Sequence, residues 1–203
     1  MRKLIIHGAH NTRTSRVIWL ALELGLDFEH KNFHYSTGGT QTPEFLVINP
    51  NGTLPAIQDG DLCLFESLAI NLYLANKHGG DLSPKDTDEM GLAMQWSFWV
   101  ATEVEITALD ALRNRLLLPE GERDEAVAVT AEAKLSKPLS VLNGALAERE
   151  YLMGGRFTVA DLNVSAVVGW TKIAKLDLSA WPNLTTWLDR CLGRPLFVKA
   201  RGG

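Results

Sequence analysis

A run of small polar residues stands directly before the first apolar helix that the sequence predicts. The stretch GAHNTRTSRVIWLALELGL, residues 8–26, becomes mainly apolar only from Val17 onward. Ahead of that point, four side chains carry hydroxyl or amide groups: Asn11, Thr12, Thr14 and Ser15. Such a cluster offers more donors than the start of a helix needs, which indicates a partner that accepts hydrogen bonds.

A glutamate and a serine stand where another helix is predicted to begin, in FESLAI, residues 65–70. We expect Ser67 to cap this helix, with Glu66 just outside it. A helix N-terminus attracts carboxylates through its open N–H groups and its dipole. Glu66 beside it suits the ammonium of a zwitterion, so the pair fits an α-amino acid head group. The alternative is a solvated glutamate beside an ordinary cap.

A proline in NGTLPAI, residues 51–57, is a candidate for a cis peptide bond. The trans form of an X-Pro bond is favoured by only about 0.5–1 kcal/mol. A cis bond before Pro55 would turn the N–H and C=O of Leu54 outward, toward an extended, peptide-like ligand. An ordinary trans proline at the start of an edge strand is the alternative.

The elements that must position these groups alternate between strand and helix in the first 79 residues. The pattern predicts the order βαβαββα, which favours a parallel strand pair with an antiparallel hairpin at the edge. The segments are the strand KLIIHG, a helix over residues 15–24, the strand DFEHKNFHY, the helix TPEFLVINP, the hairpin LPAIQDGDLCLF and the helix ESLAINLYLANKHGG. We expect Thr42 to cap the short helix, Asp59-Gly60 to form a type I′ turn and Gly79 to end the last helix.

The character of the sequence changes after this unit. The polar stretch GGDLSPKDTD is typical of a linker, and long helical patterns without a good strand follow it. In FTVADLNV, Thr158 and Asp161 form a variant of the capping box, which is a folding signal. We therefore expect an α/β domain in residues 1–79, a linker in 80–88 and an all-α domain in 89–203.

Composition and charge exclude several classes of function. The 203 residues are 46% hydrophobic and 22% charged, and the formal net charge of −4 argues against nucleic acid as the main partner. The two cysteines, Cys63 and Cys191, stand among apolar residues and form no metal-binding or redox motif. No apolar run is long enough for a signal peptide or a membrane span. We therefore expect a cytoplasmic protein that holds no metal and does not bind membranes.

Together these motifs resemble the glutathione S-transferase family. NPNGTLPAI, the hairpin around Asp59-Gly60 and FESLAINLYLA are similar to its thioredoxin-like N-terminal domain. FTVADLNV and WPNLTTWLDRCLGRP are similar to the capping box and the C-terminal helix of its all-α domain. The resemblance covers nearly the whole chain and keeps the order of the motifs. It implies a bacterial-type cytosolic transferase with a thioredoxin-like domain, a helical bundle, glutathione as co-substrate, and a homodimer.

The resemblance supplies a ligand for the residues discussed above. Glutathione carries a γ-glutamyl head, and the family's contacts to it map to Glu66 and Ser67. Its cysteinyl amide pairs with the residue before the cis proline, which maps to Leu54 and Pro55. Many relatives carry Lys where this chain has Thr53 beside the glutathione backbone. Loss of that charge is expected to weaken affinity without abolishing the site.

The thiol of glutathione is then expected to point toward the turn before the first helix, where it must ionise. The family's Tyr, Ser or Cys has no identical counterpart here, and counting back from Val17 puts the serine position at Asn11, with Thr12 beside it. We predict that Thr12 activates the thiol through its hydroxyl, with Asn11 as the alternative through its amide. Thr14 or Ser15 is expected to cap the helix.

The acceptor substrate is expected to lie between the two domains. His10 adjoins the thiol turn, and Trp99 and Glu103 share one face of a predicted helix at a spacing of four residues. We predict that these three residues line the acceptor pocket, whereas Trp96 is assigned to the core. Arg13 can add positive potential near the sulfur or the glycyl carboxylate, and a solvated arginine is the alternative.

The sequence therefore predicts a glutathione S-transferase that attacks a small, largely apolar electrophile with a thiolate. Two alternatives stay open. A binding or interaction protein without the chemistry is favoured by the missing Tyr, Ser or Cys and disfavoured by the intact pair Glu66 and Ser67. A glutathione-dependent isomerase, ether-cleaving enzyme or peroxidase would use the same site. Branches that form mixed disulfides are disfavoured because the turn has no cysteine.

Overall fold

Four short strands form a mixed sheet in the order β2-β1-β3-β4. The computed structural model describes residues 3–202. Its strands are β1 Leu4–His7, β2 Phe28–Lys31, β3 Ala56–Asp59 and β4 Leu62–Phe65. Strand β1 pairs in parallel with β2 and antiparallel with β3, and β4 pairs antiparallel with β3. The predicted parallel pair with an antiparallel hairpin at the edge is therefore confirmed.

Helices connect these strands and then follow them. The α-helices are α1 Thr14–Glu23, α2 Pro43–Ile48, α3 Ser67–His78, α4 Thr87–Trp99, α5 Ile106–Leu112, α6 Glu125–Ala145, α7 Val159–Ile173, α8 Pro182–Leu192 and α9 Pro195–Ala200. Two π-helical segments, Val100–Glu105 and Arg113–Leu117, continue α4 and α5. Short 3-10 helices lie at Tyr35–Thr37, Gly39–Gln41 and Glu120–Glu122. The predicted fold class, α/β followed by all-α, is confirmed.

The described residues divide into two units. The first unit contains residues 3–84 together with residues 194–202, and the second unit contains residues 85–193. The sequence assigned residues 89–203 to one all-α domain, whereas α9 lies with the first unit.

Contacts between α9 and α1 explain this difference. Phe197 packs edge-on against Trp19, with 4.9 Å between the ring centroids. Arg194 donates two hydrogen bonds to the carboxylate of Glu23, at 2.7 and 2.6 Å. These side chains are far apart in the sequence, so no local pattern indicates their pairing.

Helices α1 and α3 pack against each other in the first unit. Their inner faces carry fully buried apolar side chains: Val17, Leu20, Ile70 and Leu74. Burial of each such side chain contributes about 1.5–3 kcal/mol to stability. This packing fixes the start of α1 relative to the start of α3, where the candidate site residues lie.

The hairpin between β3 and β4 turns one residue later than predicted. Asp59 pairs with Leu62 as the last residue of β3, so the turn residues are Gly60 and Asp61. Asp59 is buried and accepts a hydrogen bond from the hydroxyl of Tyr73 at 2.8 Å. Gly60 has a φ of 65°, which fits the first position of a type II′ turn. The predicted turn centred on Asp59-Gly60 is therefore wrong.

The predicted capping signals of two other helices are confirmed. The hydroxyl of Thr42 accepts a hydrogen bond from the backbone N–H of Phe45 at the start of α2. In the second unit, the buried carboxylate of Asp161 accepts hydrogen bonds from both the N–H and the hydroxyl of Thr158. It also accepts one from the indole N–H of Trp187 at 2.9 Å, so it joins the start of α7 to the middle of α8 and has a structural role. Among residues 3–202, no helix combines the length and apolar character needed to cross a membrane.

Candidate functional site

The turn after β1 begins at a glycine with no room for a side chain. Gly8 has a φ of 125°, which is unfavourable for residues with a Cβ. A Cβ at this position would clash with Oγ1 of Thr14 and lie 3.2 Å from Cδ2 of Leu54. Thr14 and Leu54, which come from different segments, therefore approach each other beside Gly8. The imidazole of His30 holds the same turn through a hydrogen bond of 2.7 Å to the carbonyl of Gly8.

Thr12 lies inside this turn with its hydroxyl held on two sides. Its Oγ1 lies 2.7 Å from the carbonyl oxygen of Ala9 and 2.8 Å from Oγ1 of Thr14. It also accepts a hydrogen bond of 3.2 Å from the backbone N–H of Thr14. Asn11 is exposed, whereas Thr12 is half-buried. Of the two candidate donors, Thr12 is therefore the one whose side chain is partly buried and hydrogen-bonded within the turn.

The cap of α1 differs from the prediction. The helix begins at Thr14, and the residue at the cap position is Arg13, whose side chain forms no capping hydrogen bond. Thr14 is buried and points back into the turn, and the hydroxyl of Ser15 donates to the carbonyl of Thr12 at 3.0 Å. The prediction that Thr14 or Ser15 caps the helix is wrong, because both hydroxyls are engaged by the turn.

A buried arginine joins the start of α1 to the start of α3. Arg16 is only 3% exposed, and its Nη1 donates to the hydroxyl oxygen of Ser67 at 3.3 Å. The side-chain amide of Asn71 donates to the backbone carbonyl of Arg16 at 3.3 Å. Ser67, which is 4% exposed, therefore has a fixed position relative to the turn at the start of α1.

Glu66 stands just outside α3 in an unusual backbone conformation. Its φ of 71° and ψ of 106° lie in a region that non-glycine residues rarely adopt and that costs about 1–3 kcal/mol. Glu66 occupies the cap position and its carbonyl accepts the hydrogen bond from Ile70, whereas Ser67 is the first helical residue. The predicted cap at Ser67 is wrong by one position. The side chain of Glu66 is exposed beside the first turn of α3.

The segment before β3 contains the cis bond that the sequence suggested. The peptide bond between Leu54 and Pro55 is cis. Asn49, which is fully buried, donates its side-chain amide to the carbonyl of Thr53 at 2.8 Å and to the hydroxyl of Thr53 at 3.2 Å. Its Oδ1 accepts from the backbone N–H of Asn51 at 3.1 Å. Asn49 thus orders the loop that leads to Leu54.

Comparison with known proteins identifies the family. Models for "Glutathione S-transferase, N-terminal domain" and "Glutathione S-transferase, C-terminal domain" match residues 4–76 and 92–195. A glutathione S-transferase of Silene vulgaris is 34% identical over 211 residues, which cover 96% of this chain and 94% of that relative. The chain belongs to the glutathione S-transferase family. This membership confirms the predicted family and the predicted enzyme class, glutathione transferase.

Solved structures of this family are similar along the whole chain. The theta class glutathione S-transferase of Xanthomonas axonopodis pv. citri, solved with glutathione bound, is 30% identical with a TM-score of 0.88 and covers 100% of this chain and 99% of its own. A glutathione S-transferase-I bound with lactoylglutathione is also 30% identical with a TM-score of 0.88, and covers 98% of this chain and 99% of its own.

His10 of this transferase is held by the C-terminal segment. Its Nδ1 donates a hydrogen bond of 2.9 Å to the carbonyl of Ala200 in α9. Its ring lies edge-on to that of His30, with 4.6 Å between the centroids. The sequence predicted His10 only as a pocket residue, and the structure adds an anchoring contact within the first unit.

The candidate acceptor residues Trp99 and Glu103 belong to the second unit. Trp99 is half-buried and packs edge-on against Trp96, with 5.1 Å between the ring centroids. Trp96 is 8% exposed, so its assignment to the core is confirmed. Glu103 is exposed and lies in the π-helical segment Val100–Glu105. The wider turns of a π-helix change the spacing of four on which the pairing of Trp99 with Glu103 was based.

His7 contributes no positive charge beneath the turn. It is the last residue of β1, it is buried, and its Nε2 lies 3.0 Å from Oε1 of Gln58. Burial lowers the pKa of His7 below its ordinary value, and this outweighs the opposing effect of the hydrogen bond with Gln58. The imidazole is therefore neutral at pH 7.

Sequence reasoning missed three residues that organise the site. Gly8 was assigned only to the end of a strand, and neither Arg16 nor Asn49 was assigned a role. A charged residue within the predicted helix over residues 15–24 was the one available signal, at Arg16. The roles of Gly8 and Asn49 depend on contacts with Thr14, Leu54 and Thr53 that no spacing rule predicts.

We expect Gly8→Ala to destabilise the fold more than a matched glycine substitution. The new Cβ would clash with Thr14 as well as oppose the positive φ. In Gly25→Ala, which has a φ of 64° and open space around the site, only the conformational cost applies. Gly8→Ala should lower the free energy of unfolding by about 2 kcal/mol more than Gly25→Ala does, measured by urea denaturation. Equal costs for the two variants would contradict the close approach of Thr14.

Proposed function

We propose that the first unit binds glutathione and activates its thiol through Thr12. The γ-glutamyl head lies on Glu66 and Ser67, the cysteinyl backbone pairs with Leu54 beside Pro55, and the sulfur faces Thr12. The observation that carries this proposal is the meeting of Thr14 and Leu54 beside Gly8, because it places the side chain of Leu54, and with it the segment before Pro55, beside the turn. The two solved relatives with glutathione or lactoylglutathione bound support glutathione as the ligand.

The head-group contacts follow from the charges and donors at the start of α3. The hydroxyl oxygen of Ser67 accepts from Arg16, so its own proton is available to a ligand carboxylate. The open N–H groups of the first helical turn stabilise the same carboxylate. The exposed carboxylate of Glu66 can then accept from the ligand's ammonium. This pattern of charges suits an α-amino acid and disfavours a simple anion. Thr53 and Arg13 flank the remaining glutathione backbone and are proposed as secondary contacts.

The energy that Thr12 must supply is modest. A cysteine thiol has a pKa of about 8.5, so only a few per cent is ionised at neutral pH. Lowering the pKa by about two units requires roughly 2.7 kcal/mol of preferential stabilisation of the thiolate. A hydrogen bond to a charged acceptor supplies about 1.5–3 kcal/mol, and the N-terminus of α1 adds about 0.3–1 kcal/mol. One hydroxyl together with the helix is therefore sufficient, and Asn11 is the alternative donor.

The reaction is attack of this thiolate on an electrophilic carbon of an apolar acceptor. A carbon–sulfur bond forms while the acceptor's leaving group departs with its electron pair, and binding supplies proximity. No protein nucleophile is required, because glutathione brings the sulfur. His10 in the first unit and Trp99 and Glu103 in the second unit remain the proposed acceptor contacts.

Glutathione affinity should depend on the charge of Glu66. We expect Glu66→Gln to weaken glutathione binding about tenfold, because it removes the negative charge that faces the ligand's ammonium. Glu44→Gln, at another exposed glutamate in α2, should leave the dissociation constant unaltered. Isothermal titration calorimetry measures both. Equal affinity of the two variants would remove Glu66 from the head-group site.

The ionisation of bound glutathione should depend on Thr12. We expect Thr12→Val to raise the pKa of the bound thiol by about one to two units, because it removes a hydrogen bond to the thiolate. The ultraviolet absorbance of the thiolate, recorded across pH on the saturated protein, measures this pKa. Thr37→Val, at an exposed hydroxyl of the same unit, serves as the control. An unchanged pKa in Thr12→Val would transfer the role to Asn11 or to the backbone.

We also propose a cytoplasmic homodimer. Support for the dimer comes from large apolar side chains that are exposed on α4 and α5, with Phe98 at 66% and Ile106 at 68%. Sedimentation equilibrium at micromolar concentration should give the mass of two chains, and Phe98→Lys should shift the equilibrium toward one. A single-chain mass for the unchanged protein would contradict the dimer.

A further inference from the structure

Thr14 is a buried polar residue whose hydroxyl has one short contact. Its side chain is fully buried at the first residue of α1. Its Oγ1 lies 2.8 Å from Oγ1 of Thr12 and 3.4 Å from the carbonyl oxygen of His7. Hydroxyl hydrogen bonds are usually 2.5–3.0 Å between oxygens. The contact with Thr12 is therefore the strong one, and the contact with His7 is long.

Each of these two hydroxyls has only one proton, so the direction of the hydrogen bond between them matters. If Thr12 donates to Thr14, its proton is used inside the turn. If Thr14 donates to Thr12, the proton of Thr12 must point elsewhere, either to Ala9 at 2.7 Å or to a ligand. The backbone N–H of Thr14 already donates to the same oxygen of Thr12. Both donors of Thr14 can therefore saturate the acceptor side of Thr12.

We propose that Thr14 is a positioning residue for thiol activation: it donates its hydroxyl proton to Thr12, so that the proton of Thr12 is directed at the glutathione sulfur. This inference rests on the proposed role of Thr12. Donation to an oxygen that itself donates strengthens the outgoing hydrogen bond, because hydrogen bonds in series polarise one another. In the free protein the hydroxyl of Thr12 donates a hydrogen bond to the carbonyl of Ala9. The bound thiolate competes with that carbonyl for the proton of Thr12.

The hydroxyl of Thr14 fills a space that depends on the absence of a side chain at Gly8. A side chain on Gly8 would occupy the space that the hydroxyl of Thr14 fills. Valine has nearly the same shape as threonine, so Thr14→Val removes the hydroxyl with little change in side-chain volume. The turn therefore holds a hydroxyl in a confined space, and the partner it contacts at short distance is Thr12.

The test compares variants at position 14 by the pKa of bound glutathione. We expect Thr14→Val to raise the pKa of the bound thiol by about half to one unit, a smaller shift than Thr12→Val produces. Thr14→Ser keeps the hydroxyl and should restore the unchanged value. Thr130→Val, at an exposed hydroxyl of α6, serves as the control. A pKa equal to that of the unchanged protein in Thr14→Val would overturn the inference.

The double variant separates this inference from the proposed function. Because Thr14 acts through Thr12, adding Thr14→Val to Thr12→Val should cause no further shift of the thiol pKa. A further shift in the double variant, beyond that of Thr12→Val and equal to the shift in Thr14→Val alone, would show that Thr14 acts by another route, and would overturn the inference while leaving Thr12 in its role. If the unchanged protein binds glutathione only as the thiol, the proposed activation fails first, and the inference with it.

A measurement on the unchanged protein covers the case in which Thr14→Val does not fold. A neutron structure of the glutathione complex, grown in deuterium oxide, locates the exchangeable atoms of both hydroxyls. We expect the deuterium of Thr14 between its oxygen and that of Thr12, and the deuterium of Thr12 toward sulfur. Deuterium of Thr14 directed at the carbonyl of His7 would overturn the proposal.

Discussion

The proposed glutathione site depends on the space that a missing side chain leaves at Gly8. Strand β1 ends there, and the chain reverses into the turn with a φ of 125°. Because Gly8 carries no Cβ, the hydroxyl of Thr14 and the side chain of Leu54 can approach the same point. The turn that offers donors and the segment that offers a peptide edge are thereby brought together, although 45 residues lie between Gly8 and Leu54 in the sequence.

A second constraint joins this turn to the head-group residues. Buried Arg16 donates a hydrogen bond to Ser67, and the side-chain amide of Asn71 donates one to the backbone carbonyl of Arg16. The first turns of α1 and α3 therefore have fixed positions relative to each other. The strained backbone of Glu66 then carries its carboxylate outside the helix. Packing of α9 on α1 adds support from the far end of the chain, and it also anchors His10. The proposed binding groups are thus positioned by buried polar contacts within an apolar core.

Much of this arrangement could be predicted from local sequence signals and the family resemblance. Alternating elements indicated the sheet, Thr42 and Asp161 indicated helix starts, and NGTLPAI indicated the cis bond before Pro55. The remainder depends on contacts between distant segments. Packing in three dimensions decides that Arg16 is buried against Ser67 and that α9 lies on α1. It also decides that the side chain of Thr14 points back into the turn. The one-residue errors at the hairpin and at Ser67 have the same origin, because strand pairing and helix packing decide where an element begins.

The central claim is that the sulfur of glutathione faces the hydroxyl of Thr12 while the γ-glutamyl head lies on Glu66 and Ser67. A crystal structure of this chain with glutathione tests it most directly, through the distance from the sulfur to Oγ1 of Thr12. Our account predicts hydrogen-bond contact between these two atoms, with the ammonium of the ligand beside Glu66. A sulfur that instead contacts the amide of Asn11, or lies away from the turn altogether, would contradict it.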